Sequence, residues 1–154
     1  MNTAIDIKHY LPHRVPMLMV DLILKMDEET VETFFIIKAD NIFIQNNIFI
    51  EAGLIENAAQ TCSAIVAKDY YVDENKNDKE DVDVIGFISA IKTLRILALP
   101  KVGDTITTIA TLASKFVTES YTLCTMRCQT FENDQLLLEG QINLFIQENS
   151  KAAS

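Results

Sequence analysis

Glu56 is the residue that most invites chemistry. It lies in the run Glu51-Ala-Gly-Leu-Ile-Glu-Asn-Ala-Ala-Gln-Thr-Cys-Ser-Ala-Ile-Val-Ala-Lys68, with Leu54, Ile55, Ala58, Ala59 and Cys62 around it. Burial among such neighbours disfavours an ionised carboxyl, and a carboxyl kept near its neutral form can deliver a proton. The plainer alternative is a helix glutamate that faces a gap or pairs with Gln60 one turn on. Asn57 and Gln60 add amide donors and acceptors to the same run, where such residues more often hydrogen-bond within a buried helix. Gly53, near the start of the run, either allows a close backbone approach to a ligand or simply packs the helix on a sheet. Metal chemistry is poorly supplied. Cys62, Cys124 and Cys128, with His9 and His13, fall at no metal-ligand spacing. The three cysteines sit in apolar segments and read as buried thiols. No Gly-rich phosphate loop occurs, so no cofactor is implied.

The elements that must position these residues follow from patterning. The run from Glu51 to about residue 70 is small and apolar on nearly every side, alanine-rich and acidic at its start, which predicts a helix wrapped by other structure. Before it, the apolar segment Pro16 to Met26 and the β-branched segment Thr30 to Lys38 flank Asp27-Glu28-Glu29 and predict an antiparallel hairpin. Residues 39 to 50 hold three asparagines and no period, and predict a loop. After the helix, residues 72 to 83 (VDENKNDKEDVD) are charged and read as an exposed loop. Strands follow: Val84 to Leu99 as one long strand or two short ones, then Asp104 to Val117, Ser120 to Phe131 and Gln135 to Gln147. Glu132-Asn133-Asp134 turns the last pair. One long antiparallel sheet covered by one helix is an α+β layout, and 154 residues suit a single domain.

The chain has 13 basic and 22 acidic residues, a net charge of −9, which argues against a nucleic-acid partner. Any acidic partner must be met by positive charge gathered locally. Lys92, Arg95 and Lys101 share one segment, with Lys8, Arg14, Lys115 and Arg127 elsewhere. Scattered solubilising charge is an equal explanation for each. No run approaches the ~20 apolar residues of a membrane span. The first eight residues lack the basic flank and apolar stretch of a signal peptide, so a cytoplasmic location is expected.

Four stretches, in order, resemble the hotdog-fold 3-hydroxyacyl-acyl-carrier-protein dehydratase family. Leu11-Pro12-His13-Arg14-Val15-Pro16, running into Met17-Leu18-Met19-Val20-Asp21, resembles the family's entry motif. Glu56-Asn57-Ala58-Ala59-Gln60 resembles its Glu-Ala-x-Ala-Gln helix signature. Gly86-Phe87-Ile88-Ser89-Ala90-Ile91-Lys92, with Pro100-x-x-Gly103-Asp104, resembles the strand and tight turn beyond, and the closing strands match in length. The resemblance implies a hotdog fold and an acyl thioester, carried by acyl carrier protein or coenzyme A, bound at a dimer interface. A loop histidine in a Gly-His-Phe-Pro motif takes the α-proton there. The helix glutamate of the other subunit protonates the leaving hydroxyl, and a backbone amide near the helix start polarises the carbonyl.

By that resemblance Glu56 fills the acid position. The loop departs from the family: it is several residues shorter, and Asn47 falls about where the histidine belongs. An amide cannot take up a proton near neutral pH. His13 is then the one histidine inside a recognised motif. The resemblance gives it an anchoring role in the N-terminal turn and leaves it open as a substitute base. Gly53 or Leu54 would supply the polarising amide. Three functions remain: a dehydratase of fatty-acid or related polyketide or polyene lipid synthesis, with an unusual base; a binding subunit of a hetero-oligomer whose partner brings the histidine; and a thioesterase using Glu56. A dimer or a multiple of dimers is expected in each.

Overall fold

A computed structural model describes residues 5–7, 10–71 and 84–148 of the chain. His9, Lys8 and the charged stretch 72–83 lie outside the described residues. After β1 (Ile5–Asp6), β2 (Leu22–Met26) and β3 (Thr30–Ile36) form the expected hairpin. Asp27 closes its turn, accepting the Glu29 and Thr30 amides on Oδ1 at 2.8 Å each. In β3, Val31, Thr33 and Phe35 are buried and alternate with less buried neighbours, the mark of a strand with one face on the core.

Strand β2 begins six residues later than the apolar run Pro16 to Met26 predicts. The stretch before it forms no ladder because its backbone is bonded by helix side chains instead, as described below. Residues 39–50 also differ from expectation. They carry a small hairpin, β4 (Ile44–Gln45) and β5 (Ile48–Phe49). Asn46 and Asn47 turn it with φ of 51° and 66°, a conformation asparagine tolerates better than most side chains. The hairpin docks on the turn at residues 100–103, where Phe49 N donates to Pro100 O at 2.9 Å and Val102 N to Asn47 O at 3.0 Å.

Helix α1 (Glu51–Tyr71) follows, then β6 (Val84–Ile96), β7 (Thr105–Val117), β8 (Thr122–Glu132) and β9 (Gln135–Glu148). One antiparallel sheet takes the order β1-β2-β3-β7-β8-β9-β6, leaving β6 as an edge. Its concave face wraps α1, which packs on β3, β7, β8, β9 and β6. This is the hotdog arrangement. Leu54, Ala58, Cys62 and Ile65 of the helix meet Val31, Phe35, Ile106, Ala110, Met126 and Ile142 of the sheet in one core. All three cysteines are buried and none is in a disulfide.

Polar side chains run through that core in a connected string. Thr108 Oγ1 donates to Asn57 Oδ1 at 2.7 Å and lies 2.8 Å from Thr130 Oγ1. Thr61 Oγ1 donates to Asn57 O at 2.9 Å and lies 2.7 Å from Thr33 Oγ1. Each such bond stabilises by only about 1 kcal/mol net, but leaving a buried partner unmet costs about 1–3 kcal/mol. Thr108→Val, equal in shape but without the hydroxyl, strands both Asn57 and Thr130. Urea unfolding is expected to show a loss of about 1–3 kcal/mol, while Thr105→Val at an exposed position stays within about 0.5 kcal/mol.

Candidate active site

The segment from Leu11 to Val20 is anchored from two sides. Arg14 Nη1 donates to Leu11 O and to His13 O at 2.8 Å each, closing the Leu-Pro-His-Arg turn on itself. Met17 N and Leu18 N then bond back to Arg14 O at 2.8 and 3.1 Å, beside a cis Val15–Pro16 peptide. The helix supplies the second anchor. Gln60 accepts Met19 N on Oε1 at 2.8 Å, and its Nε2 donates to Met17 O at 2.8 Å and to Glu56 Oε1 at 2.9 Å. Asn57 Nδ2 donates to Met19 O at 2.7 Å. Residues 57 and 60 are one turn apart on α1, so both reach the same stretch of backbone.

This clamp sets His13 against Glu56. His13 Nε2 stands 3.9 Å from Glu56 Oε1, with the two side chains 29% and 28% exposed. Glu56 is therefore not sealed in the core as its apolar neighbours suggest. It looks out of the helix toward the N-terminal segment, at the mouth of the fold. The sequence alternative of a Gln60 partner also holds, since one carboxylate oxygen meets both groups. His13 Nδ1 is buried and makes no hydrogen bond. Burial pushes the His13 pKa down; the Glu56 charge partly opposes this and Arg14 adds to it. A neutral ring with its hydrogen on Nε2 suits the position, because a second N–H on Nδ1 would be buried without an acceptor.

Asn57 and Gln60 are each about 1% exposed and committed to backbone, so both serve as clamps. Gly53 packs against the β4–β5 hairpin. A Cβ there would lie 2.5 Å from Phe49 Cε1 and 2.7 Å from Phe43 Cβ. The Gly53 and Leu54 amides both donate to Ile50 O, at 3.0 and 3.2 Å, so neither points unbonded at a ligand. Asn47 is exposed at the hairpin tip, and among the described residues no hydrogen bond joins its side chain to Glu56. Of the basic residues, Arg95 pairs with Glu139 at 3.1 Å and Lys101 with Asp104 at 3.6 Å. Thr108, Thr130, Thr33 and Thr61 are the residues the sequence did not mark. Their signal is a threonine among the otherwise apolar inward positions of β3, β7 and β8, with Thr61 on the helix.

Among the described residues no cluster of three or more His, Cys, Asp or Glu is arranged to hold a metal ion. No helix there is long and apolar enough to cross a membrane. The model of the ApeP-like family, described as ApeP dehydratase, matches residues 5–154. The chain belongs to the ApeP-like dehydratase family. No curated protein matches it in sequence. Among solved structures it is similar to the dehydratase heterocomplex ApeI:P from Xenorhabdus doucetiae, at 15% identity and a TM-score of 0.74, over 96% of this chain and 93% of that one. It is also similar to the E. coli PaaI protein from a phenylacetic acid degradation operon (13% identity, TM-score 0.54, 79% of each chain). A hypothetical thioesterase with coenzyme A from Streptococcus pneumoniae gives 12% and 0.57, over 83% of this chain and 87% of that one. At such identities these likenesses establish the shared hotdog fold.

Two outcomes test the geometry. Because the folded His13 pKa lies below the ordinary value, the unfolded chain takes up the proton first as pH falls below about 6.5. Its contribution to stability is full above that pH, and lost as pH drops through the folded value. Urea midpoints between pH 8 and 5 are expected to fall less steeply in His13→Gln than in wild type. Gly53→Ala forces Phe49 or Phe43 to move, and is expected to cost about 1–3 kcal/mol in the same assay.

Proposed function

We propose that this chain is the acid-bearing subunit of a hetero-oligomeric dehydratase that converts a 3-hydroxyacyl thioester to the 2-enoyl thioester and water. Glu56 gives its proton to the departing 3-hydroxyl. The base that removes the α-proton comes from a histidine-bearing partner chain. The thioester is carried by acyl carrier protein or coenzyme A, and the setting is cytoplasmic.

The observation that carries this reading is the direction of His13. Its Nδ1 is buried, and its Nε2 faces the Glu56 carboxylate, so neither nitrogen is presented to a substrate α-carbon. A base must reach the proton it removes, directly or through one water. This supports reading His13 as a positioning residue for Glu56, and Asn47 has no basic atom to offer. Glu56 by contrast keeps Oε2 clear of hydrogen bonds among the described residues while Gln60 and His13 attend Oε1. Two further points support a partner. The similar Xenorhabdus structure is a dehydratase heterocomplex, and β6 is a 13-residue edge whose outer backbone groups are unpaired among the described residues.

The test pairs the purified chain with a histidine-bearing hotdog chain expressed alongside it. Formation of 2-enoyl product from 3-hydroxyacyl thioesters is followed together with release of free thiol. Turnover is expected only with both chains, without thiol release, and Glu56→Gln should reduce it about 10²- to 10⁴-fold. Turnover by this chain alone would return the base to it. Glu56-dependent thiol release would make it a thioesterase. Activity indifferent to Glu56→Gln would remove the acid role.

A further inference from the structure

The sheet face turned away from α1 carries a pattern that the Glu56 site does not use. Strand register sets Phe116, Leu123, Phe145 and Phe87 side by side across β7, β8, β9 and β6. Their chain neighbours Thr122, Cys124, Leu144 and Ile146 are buried against the helix side, so this row faces outward. Phe116, Phe87 and Leu123 are 61%, 51% and 37% exposed. Phe145 is stacked between Phe87 and Tyr121, with ring centroids 4.9 and 5.2 Å away. The next outward row is small and neutral: Ser114, Thr125, Asn143 and Ala90. The row after that is Thr111, Arg127, Gln141 and Thr93, and beyond it the Arg95–Glu139 pair.

Between Arg95 and Arg127 a cleft of about 600 Å³ opens. Gly140 floors it, where a Cβ would stand 2.7 Å from Thr93 O. Arg127 is exposed and makes no ion pair among the described residues, in a chain whose net charge is −9. An exposed arginine beside a cleft, two rows from an exposed aromatic ladder, is a surface with two different needs.

We propose that this face is the contact with a second copy of the chain. The two sheets pack back to back about a two-fold axis lying along the Ser114, Thr125, Asn143 and Ala90 row. Such an axis reverses the order of the rows, so each aromatic row lies over the other copy's arginine row. A two-fold contact requires the patch to match itself, and this one does so only in that reversed sense. The small row on the axis lets the sheets approach to about the 10 Å of packed sheets. The cleft takes the stacked rings, and Arg127 comes to lie over the other copy's Leu123, between Phe116 and Phe145, whose ring faces attract cations. A nucleic acid or a small anion would use the arginines and leave the ladder bare. A lipid surface would do the reverse. The reversed copy covers both. The contact is independent of the chemistry at Glu56 and of the β6 edge.

Sedimentation velocity of the full chain tests this. The wild type is expected to reach twice the mass of Arg127→Glu and of Leu123→Arg at equal concentration. Each substitution should raise the concentration for half-assembly about tenfold or more, since each contact is lost twice. Far-ultraviolet circular dichroism of the two variants is expected to match wild type, both sites being exposed. A positive test leaves the face intact. Thr125 lies on the axis, so Thr125→Cys should link to its own copy under diamide while Thr105→Cys does not, the native thiols being buried. Equal mass for wild type and both variants, or an unlinked Thr125→Cys chain, overturns the proposal.

Discussion

One side-chain amide holds the rest of the site in place. Gln60 is buried in α1 and bonds Met17 O, Met19 N and the Glu56 carboxylate with a single rigid group. Without it, the stretch from Met17 to Val20 would have buried backbone groups and no strand to pair with, a cost of about 1–3 kcal/mol for each group left unmet. With Asn57 on the next residue toward the helix start of the same face, it replaces a missing ladder by two side chains. The His13 turn, the exposure of Glu56 and the late start of β2 all follow from that substitution.

The clamp also explains why an imidazole beside a carboxylate need not be a general base. Acid–base chemistry on a thioester needs two groups on either side of the bond being made, each free to reach the substrate. Here the His13 ring and the Gln60 amide converge on one oxygen of the Glu56 carboxylate. Burial keeps His13 from charging readily, and its hidden nitrogen has no acceptor for a second hydrogen. In the proposed reaction such a ring orients its neighbour, and the base comes from the partner chain.

The sheet separates two surfaces with unlike demands. Its inner face, lined by Ile106, Ala110, Met126 and Ile142, is matched to the helix, with threonines meeting Asn57 where the helix is polar. Its outer face keeps the period-2 alternation, yet it runs from an aromatic row through a small one to a polar row that holds Arg127, rather than being uniformly polar. Such ordering has no role in a face that meets only water, where polar residues in any order serve.

Much of this was legible beforehand. The small, alanine-rich run marked α1 to within one residue at its C-terminal end, because a helix buried on all sides must be apolar all round. The β-branched alternation marked the main strands, and the paired motifs at Leu11 and Glu56 marked the family. Asn46 and Asn47 could have announced a tight hairpin, but their left-handed backbone is visible only as a φ angle. Two things required the folded chain. Apolar content alone could not tell that Met17 to Val20 is clamped rather than laddered, because its partners are 40 or so residues away. Nor could residue types tell that Glu56 faces outward and that His13 meets it. Composition along a helix sets which residues are near a carboxylate, and only packing sets which way it points.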